Sequence, residues 1–294
     1  GICKQVEELC QIEGLEGIAI DYHRLVDVVL PTTLWPNYGI VQDREYPQWD
    51  YGYHPEMIKA FKEKHGYDPR EQEDPSKDEK WLKFRCDMVS EVANLVAEVV
   101  HKNGKVMSAS PFPTPKMAAR MVRQYWGDWN LDIVFPMVYH NFYTEDVSFV
   151  ADCTIENARD KQDMTTLGAG VWAYNTPEMF ATMDAAFNNG AQAISMFTAE
   201  EIKDPAIRKQ FKEYADSARA ARKANGGVVK ATYPKVADPD PFKKEGVMKV
   251  IESRMQKLIA EADGKTELAP LALGEYEFKG QEDITKRYEV TDAN

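Results

Sequence analysis

The chain has 294 residues, 44% of them apolar and 29% charged, with a formal net charge of -12. That length and apolar content allow a full buried core, excluding disordered and collagen-like classes and suiting one large α/β domain with an appendage. The acidic excess, with basic residues interspersed among the acids, excludes a broad nucleic-acid surface and favours neutral or cationic ligands.

In chain order, the first signal is helical: Cys3, Val6 and Cys10 share one face and read as core residues. The four cysteines, Cys3, Cys10, Cys86 and Cys153, have neither a CxxC spacing nor a metal-ligand pattern. No apolar stretch is long enough to span a bilayer. Gly17-Ile18-Ala19-Ile20 then reads as a fully buried strand that ends in the polar cluster Asp21-Tyr22-His23-Arg24.

Further strand-like runs fall at 104–109, 131–139, 166–173 and 191–197, most of them followed by an amphipathic stretch. Between the first strand and its helix, residues 25–80 form a long insertion carrying Trp35, Tyr38, Tyr46, Trp49, Tyr51 and Tyr53. A connection so long and aromatic reads either as a wall over a site or as a segment packed onto its own scaffold. Trp81, Phe84, Met88, Val92, Leu95 and Val99 predict a long helix stopped at Asn103-Gly104. Two more helices open at Thr176-Pro177 and Asp204-Pro205, with glycines just past their ends. Residues 1–227 thus form a βα domain, and 228–294 a Pro- and Asp-rich linker with a small α+β segment.

Polar groups collect at the carboxyl ends of all five predicted strands: Asp21 to Arg24; Ser108 and Ser110; Tyr139, His140 and Asn141; Trp172, Tyr174 and Asn175; Thr198, Glu200 and Glu201. In parallel α/β proteins such ends converge on the ligand site. Paired carboxylates are the usual requirement for cleaving a glycosidic bond, one ionised and one able to give a proton. Asp21 is the candidate for the ionised member; Glu200, Glu145, Glu45, Asp43 and Asp50 are candidates for its partner. A metal set of Asp21, His23 and His140 is a weaker alternative, because no HxH or HExxH pattern occurs. Ser108 and Ser110 lie outside a GxSxG elbow and read as strand-end hydrogen-bonding residues.

Several segments together resemble the bacterial glycosyl-hydrolase-like 10 proteins, over roughly residues 15 to 200. They are Gly17 to Arg24, Phe61-Lys62-Glu63-Lys64-His65-Gly66-Tyr67-Asp68-Pro69, Trp81 with Phe84-Arg85, Ser108 to Phe112, and Asp132 to Tyr139. The resemblance implies a TIM-barrel-like (β/α) fold acting on polysaccharides, with Asp21 and Arg24 on the family's strand-four motif and Tyr139 at the end of strand six. It also implies an extracytoplasmic location. Met137 stands where a Gln is common, and His23 replaces an apolar residue.

The family has three further strand-helix units before this point, so the expectation is a partial barrel of about five βα units. The open edge of such a barrel invites pairing with the tail or with a second copy. The expected function is glycoside hydrolysis without a cofactor. Asp21 acts as nucleophile or base, Arg24 fixes its charge, and His23, Trp49, Tyr139, His140, Trp172 and Tyr174 contact a carbohydrate substrate. The alternatives are a non-catalytic carbohydrate-binding or scaffold protein, and a metal-dependent hydrolase or deacetylase.

Overall fold

The computed structural model describes residues 1–224 apart from 39, 43, 144, 174 and 175, and apart from the side chains of 36, 176, 177 and 201. The C-terminal segment expected at 228–294 lies outside the described residues. In order, the elements are α1 (Ile2–Cys10), β1 (Gly17–Ile20), α2 (Trp35–Tyr38), α3 (Pro55–His65), α4 (Glu79–Lys102), β2 (Val106–Ala109), α5 (Pro115–Val122), β3 (Ile133–Val134), α6 (Ser148–Asp160), β4 (Thr166–Trp172), α7 (Thr176–Asn188), β5 (Ala193–Phe197) and α8 (Pro205–Ala224).

The five strands form one wholly parallel sheet in the order β1-β2-β3-β4-β5. Gly17 pairs with Val106, Ser108 with Ile133, Ile133 with Thr166, and Gly168 with Ala193. Because every strand runs the same way, all five carboxyl ends lie along one rim, as the sequence predicts.

Side chains alternate across this sheet. Met107, Ala109, Val134, Leu167, Ala169 and Val171 belong to one large apolar core with residues of α1, α4, α5, α6 and α7. The opposite face is built from smaller groups. A Cβ on Gly168 would collide with the Phe135 ring, and one on Gly170 would crowd the Pro136 carbonyl, so the phenyl group rests directly on β4 backbone. The predicted third strand is longer than the one observed. Only Ile133 and Val134 make a ladder, followed by one bridge from Met137 to Gly170, because Pro136 has no N–H to donate and interrupts the pairing.

Helix boundaries follow local chemistry. Asp78 caps α4 by accepting from the Lys80 and Trp81 amides, and Thr114 caps α5 through the Met117 amide. Gly104, at φ +67°, takes the left-handed turn after α4 that an L side chain resists. The buried stripe of α4 differs from the predicted one. Trp81 and Phe84 are buried, but Val92 and Leu95 are 37% and 45% exposed. In their place α4 buries Arg85, Cys86, Val89, Ser90, Ala93, Val96, Ala97 and Val100. The smaller residues let the helix approach β2 and α1 closely, and that gain outweighs hydrophobicity at two positions. Among the described residues, no helix is long and apolar enough to cross a membrane.

Candidate functional site

β1 places Ile18 and Ile20 against the core, so the two-residue period turns Ala19 and Asp21 to the opposite face. Asp21 is exposed just past the strand, and one carboxylate oxygen accepts the Tyr22 amide at 2.8 Å. It opens onto a cleft of about 260 Å³ lined by Tyr22, Arg24, Asp27, Ser110, Phe112, Met137, Tyr139 and Phe197 among others. These residues come from the carboxyl ends of four of the five strands. The Tyr139 phenol is pushed up to about 12, first by burial and then by the Asp21 charge, which ties the two groups to one site.

Two walls are fixed by hydrogen bonds. Gln124, buried after α5, donates to the His23 carbonyl at 2.9 Å and accepts from the Phe112 amide at 3.0 Å, joining the segments that leave β1 and β2. Thr32 and Thr33 donate to the carbonyls of Tyr143 and Phe142 at 3.2 and 3.0 Å. Those bonds hold the turn at 140–143 against the turn at 32–34, from which Pro31 and Leu34 also face the cleft. Beneath the rim an aromatic stack gives the cleft a rigid floor. Phe197 lies 5.4 Å from Tyr139 and 5.7 Å from Trp172, and Phe142 meets Trp172 edge-on at 4.8 Å.

Several expected site residues stand elsewhere. Arg24 pairs with Asp27, at 2.9 Å, and not with Asp21; its guanidinium lies 5.1 Å from the Tyr22 ring centroid and 5.2 Å from that of Phe112. His23 turns away from the cleft, with Nε2 2.7 Å from the Val89 carbonyl and its ring against Trp129. Strict alternation would keep His23 on the face of Asp21, two residues before it; the left-handed backbone of Tyr22, at φ +54°, breaks the alternation between them.

His140 is 1% exposed, with Nε2 3.7 Å from a Glu178 oxygen, behind the cleft and not in it. Burial lowers the affinity of its imidazole for a proton, and the Glu178 charge offsets this in part. Trp172 supports the floor without lining the cleft, and Tyr174 lies outside the described residues.

The aromatic insertion packs mainly onto its own scaffold. Trp35 is buried and donates to the Leu30 carbonyl, while Trp49 meets Tyr46 edge-on at 5.3 Å, away from the cleft. Glu45 is corrected from candidate acid to buried ion-pair member: it holds Arg123 at 2.5 Å and Arg120 at 3.0 Å. Asp50 lies in the same network, with Arg85 and Arg123 at 2.6 and 2.7 Å. Glu200 is exposed and pairs with Lys203, and Glu145 is exposed in the loop after Tyr143; neither lines the cleft.

Asp27 is the carboxylate that sequence reasoning missed. Its only local sign is its place three residues after Arg24. Gln124 had no local sign, because its two partners lie 12 and 101 residues away.

A larger groove, of about 950 Å³, opens on the insertion and on the start of α4, between Arg44, Tyr67, Asp74 and Asp78. Its aspartates are committed to local turns: Asp74 accepts from Ser76, and Asp78 caps α4 and accepts from Tyr67 at 2.6 Å. The strand-end cleft is smaller but holds the uncommitted carboxylate of Asp21, and it is the better seat for chemistry. Among the described residues no cluster of three or more His, Cys, Asp or Glu is arranged to share a metal ion. Comparison with known protein families matches none of them to this chain, and no curated protein matches it.

Proposed function

We propose that this protein is a carbohydrate-active enzyme of the glycoside hydrolase type, built on a partial (β/α) barrel, with its substrate bound at the strand ends. One observation carries this reading. Asp21 presents an exposed carboxylate, free of any cation, in a cleft floored by Tyr139 and Phe197. Aromatic faces of that kind fit the apolar faces of sugar rings, and an unneutralised carboxylate is the group that attacks an anomeric carbon or activates a water. The five-stranded parallel sheet in sequential order supports a barrel-like architecture. Asp27 pairs with Arg24 and orients that guanidinium, and among the described residues Asp21 and Asp27 are the cleft's carboxylates, which leaves Asp21 without an unpaired acid across from it.

That last point favours a second reading, a carbohydrate-binding protein that does not turn over its ligand. The two readings part on one experiment. Neutral β- and α-linked hexasaccharides are incubated with the protein and with Asp21→Asn, following reducing-end release and, in parallel, binding by calorimetry. The hydrolase reading expects release by the wild type and a loss of at least about 10²-fold in Asp21→Asn, with an unchanged melting temperature because Asp21 is exposed. Binding by both proteins with release by neither selects the second reading.

A further inference from the structure

Among the described residues Tyr22 is the most exposed of the large hydrophobic side chains, at 79%, and it has a left-handed backbone, with φ of +54°. Asn, Asp and Gly enter that region readily; a bulky aromatic residue does so at a cost, and no burial of the Tyr22 ring offsets it. Such strain persists when the surroundings impose it, and it concentrates at ligand sites. Two contacts to Tyr22 hold it here, and two more fix the cation that makes the second. The Tyr22 amide is held by the Asp21 carboxylate at 2.8 Å. The Arg24 guanidinium lies 5.1 Å from the ring centroid, and Arg24 is itself fixed by Asp27 and by the Leu25 carbonyl, at 2.9 and 3.0 Å. The ring is thus propped on a cation along the cleft edge, beside the uncommitted carboxylate.

We infer that Tyr22 is a sugar-stacking platform, which receives the apolar face of a neutral pyranose and positions the adjoining glycosidic bond over Asp21. This rests on the carbohydrate reading of the cleft and adds to it a binding residue at the mouth. Phe197, 44% exposed, is the other exposed ring of the same cleft among the described residues, so a saccharide chain entering it meets an aromatic surface from β1 and another from β5. The left-handed turn has a plain purpose in this scheme. At an extended φ the side chain of residue 22 would follow the strand's alternation to the helix-covered face, away from Asp21.

The test uses the full chain with cellohexaose, xylohexaose, mannohexaose and N-acetylchitohexaose as probes, measuring binding by calorimetry and stability by thermal melting. For whichever probe the wild type binds, Tyr22→Ala and Tyr22→Gly weaken affinity by roughly tenfold, and Tyr22→Phe stays within about twofold, because the ring face carries the contact. Tyr22→Gly also raises the melting temperature by about 2–4 °C as the backbone strain is relieved. Weaker binding in a more stable protein excludes a folding defect as its cause. If Tyr22→Ala binds like the wild type, Tyr22 is no platform, while the cleft reading stands. If the wild type binds none of the four, the carbohydrate reading falls and the platform falls with it.

Discussion

At the scale of single residues, the site is built by placement more than by residue type. Asp21 and His23 are two positions apart and equally polar, yet one faces the cleft and the other donates its ring into α4. Alternation along β1 makes Asp21 legible from sequence, and the left-handed Tyr22 breaks the alternation where no sequence rule forecasts it. His140 shows the converse. Its sequence position, next to Tyr139, points to the pocket, but both ring nitrogens are buried without hydrogen-bond partners. Burial depresses its protonation in the folded state, with Glu178 and Asp146 opposing the shift. The unfolded chain therefore takes up a proton near the ordinary histidine value, about 6.5, before the folded one does. Stability is full above that pH and declines as pH falls from about 6.5 toward the lower folded value. His140→Phe should flatten this part of the curve and raise the melting temperature at pH 5 relative to wild type, which melts from pH 5 to 8 would show. A wild-type melting temperature constant over that range would contradict it.

At the scale of elements, βα alternation, the long α4, the Pro-Gly boundaries of α7 and the Asp-Pro start of α8 are legible because capping, periodicity and turn chemistry are local. What holds the insertion is not local. Asp50 receives Arg85 from α4, 35 residues on, and Arg123 from the end of α5, 73 residues on; Tyr53 donates to its other oxygen at 2.7 Å. The side chains of Arg85, Arg123 and Asp50 are wholly buried. Glu45 and Asp50 therefore read in the sequence as candidate catalysts, because nothing near them there announces the guanidiniums that neutralise them; Asp43 lies outside the described residues.

Burial by itself would raise the Asp50 pKa, but the charges and hydrogen bonds of Arg123 and Arg85 outweigh it and hold the group below its ordinary value. Its contribution is therefore present above about pH 4, the unfolded aspartate value, and is lost as pH falls through the lower folded value. Asp50→Ala leaves the buried Arg85 without its carboxylate and Arg123 with Glu45 alone, and should cost about 3–5 kcal/mol at neutral pH, measured by urea denaturation. It should also remove the acid-dependent loss of stability attributable to this group. A cost under about 1 kcal/mol would mean that the network does not anchor the insertion.

At the scale of the whole molecule, charge and cleft point the same way. The chain carries 48 acidic against 36 basic residues, and the cleft repeats the imbalance with Asp21 and Asp27 against Arg24. Among the described residues Arg24 is the single cation lining the cleft and is already paired with Asp27, so among them no guanidinium is left without a counter-charge to receive a uronate carboxylate. An anionic polymer approaching the rim meets repulsion from the cleft and from the surface around it, screened over about 10 Å at 0.1 M salt. A neutral glycan held by ring faces and hydroxyl contacts meets neither. Affinity for polygalacturonate should therefore be weaker than for a neutral chain of similar length, and should increase as sodium chloride is raised from 10 to 200 mM. Affinity for the neutral chain should stay constant across that range. Titration at the two salt concentrations decides the matter: polyuronate binding that weakens with salt would reveal a cationic docking path along the rim, and would require a different account of how the cleft selects its ligand.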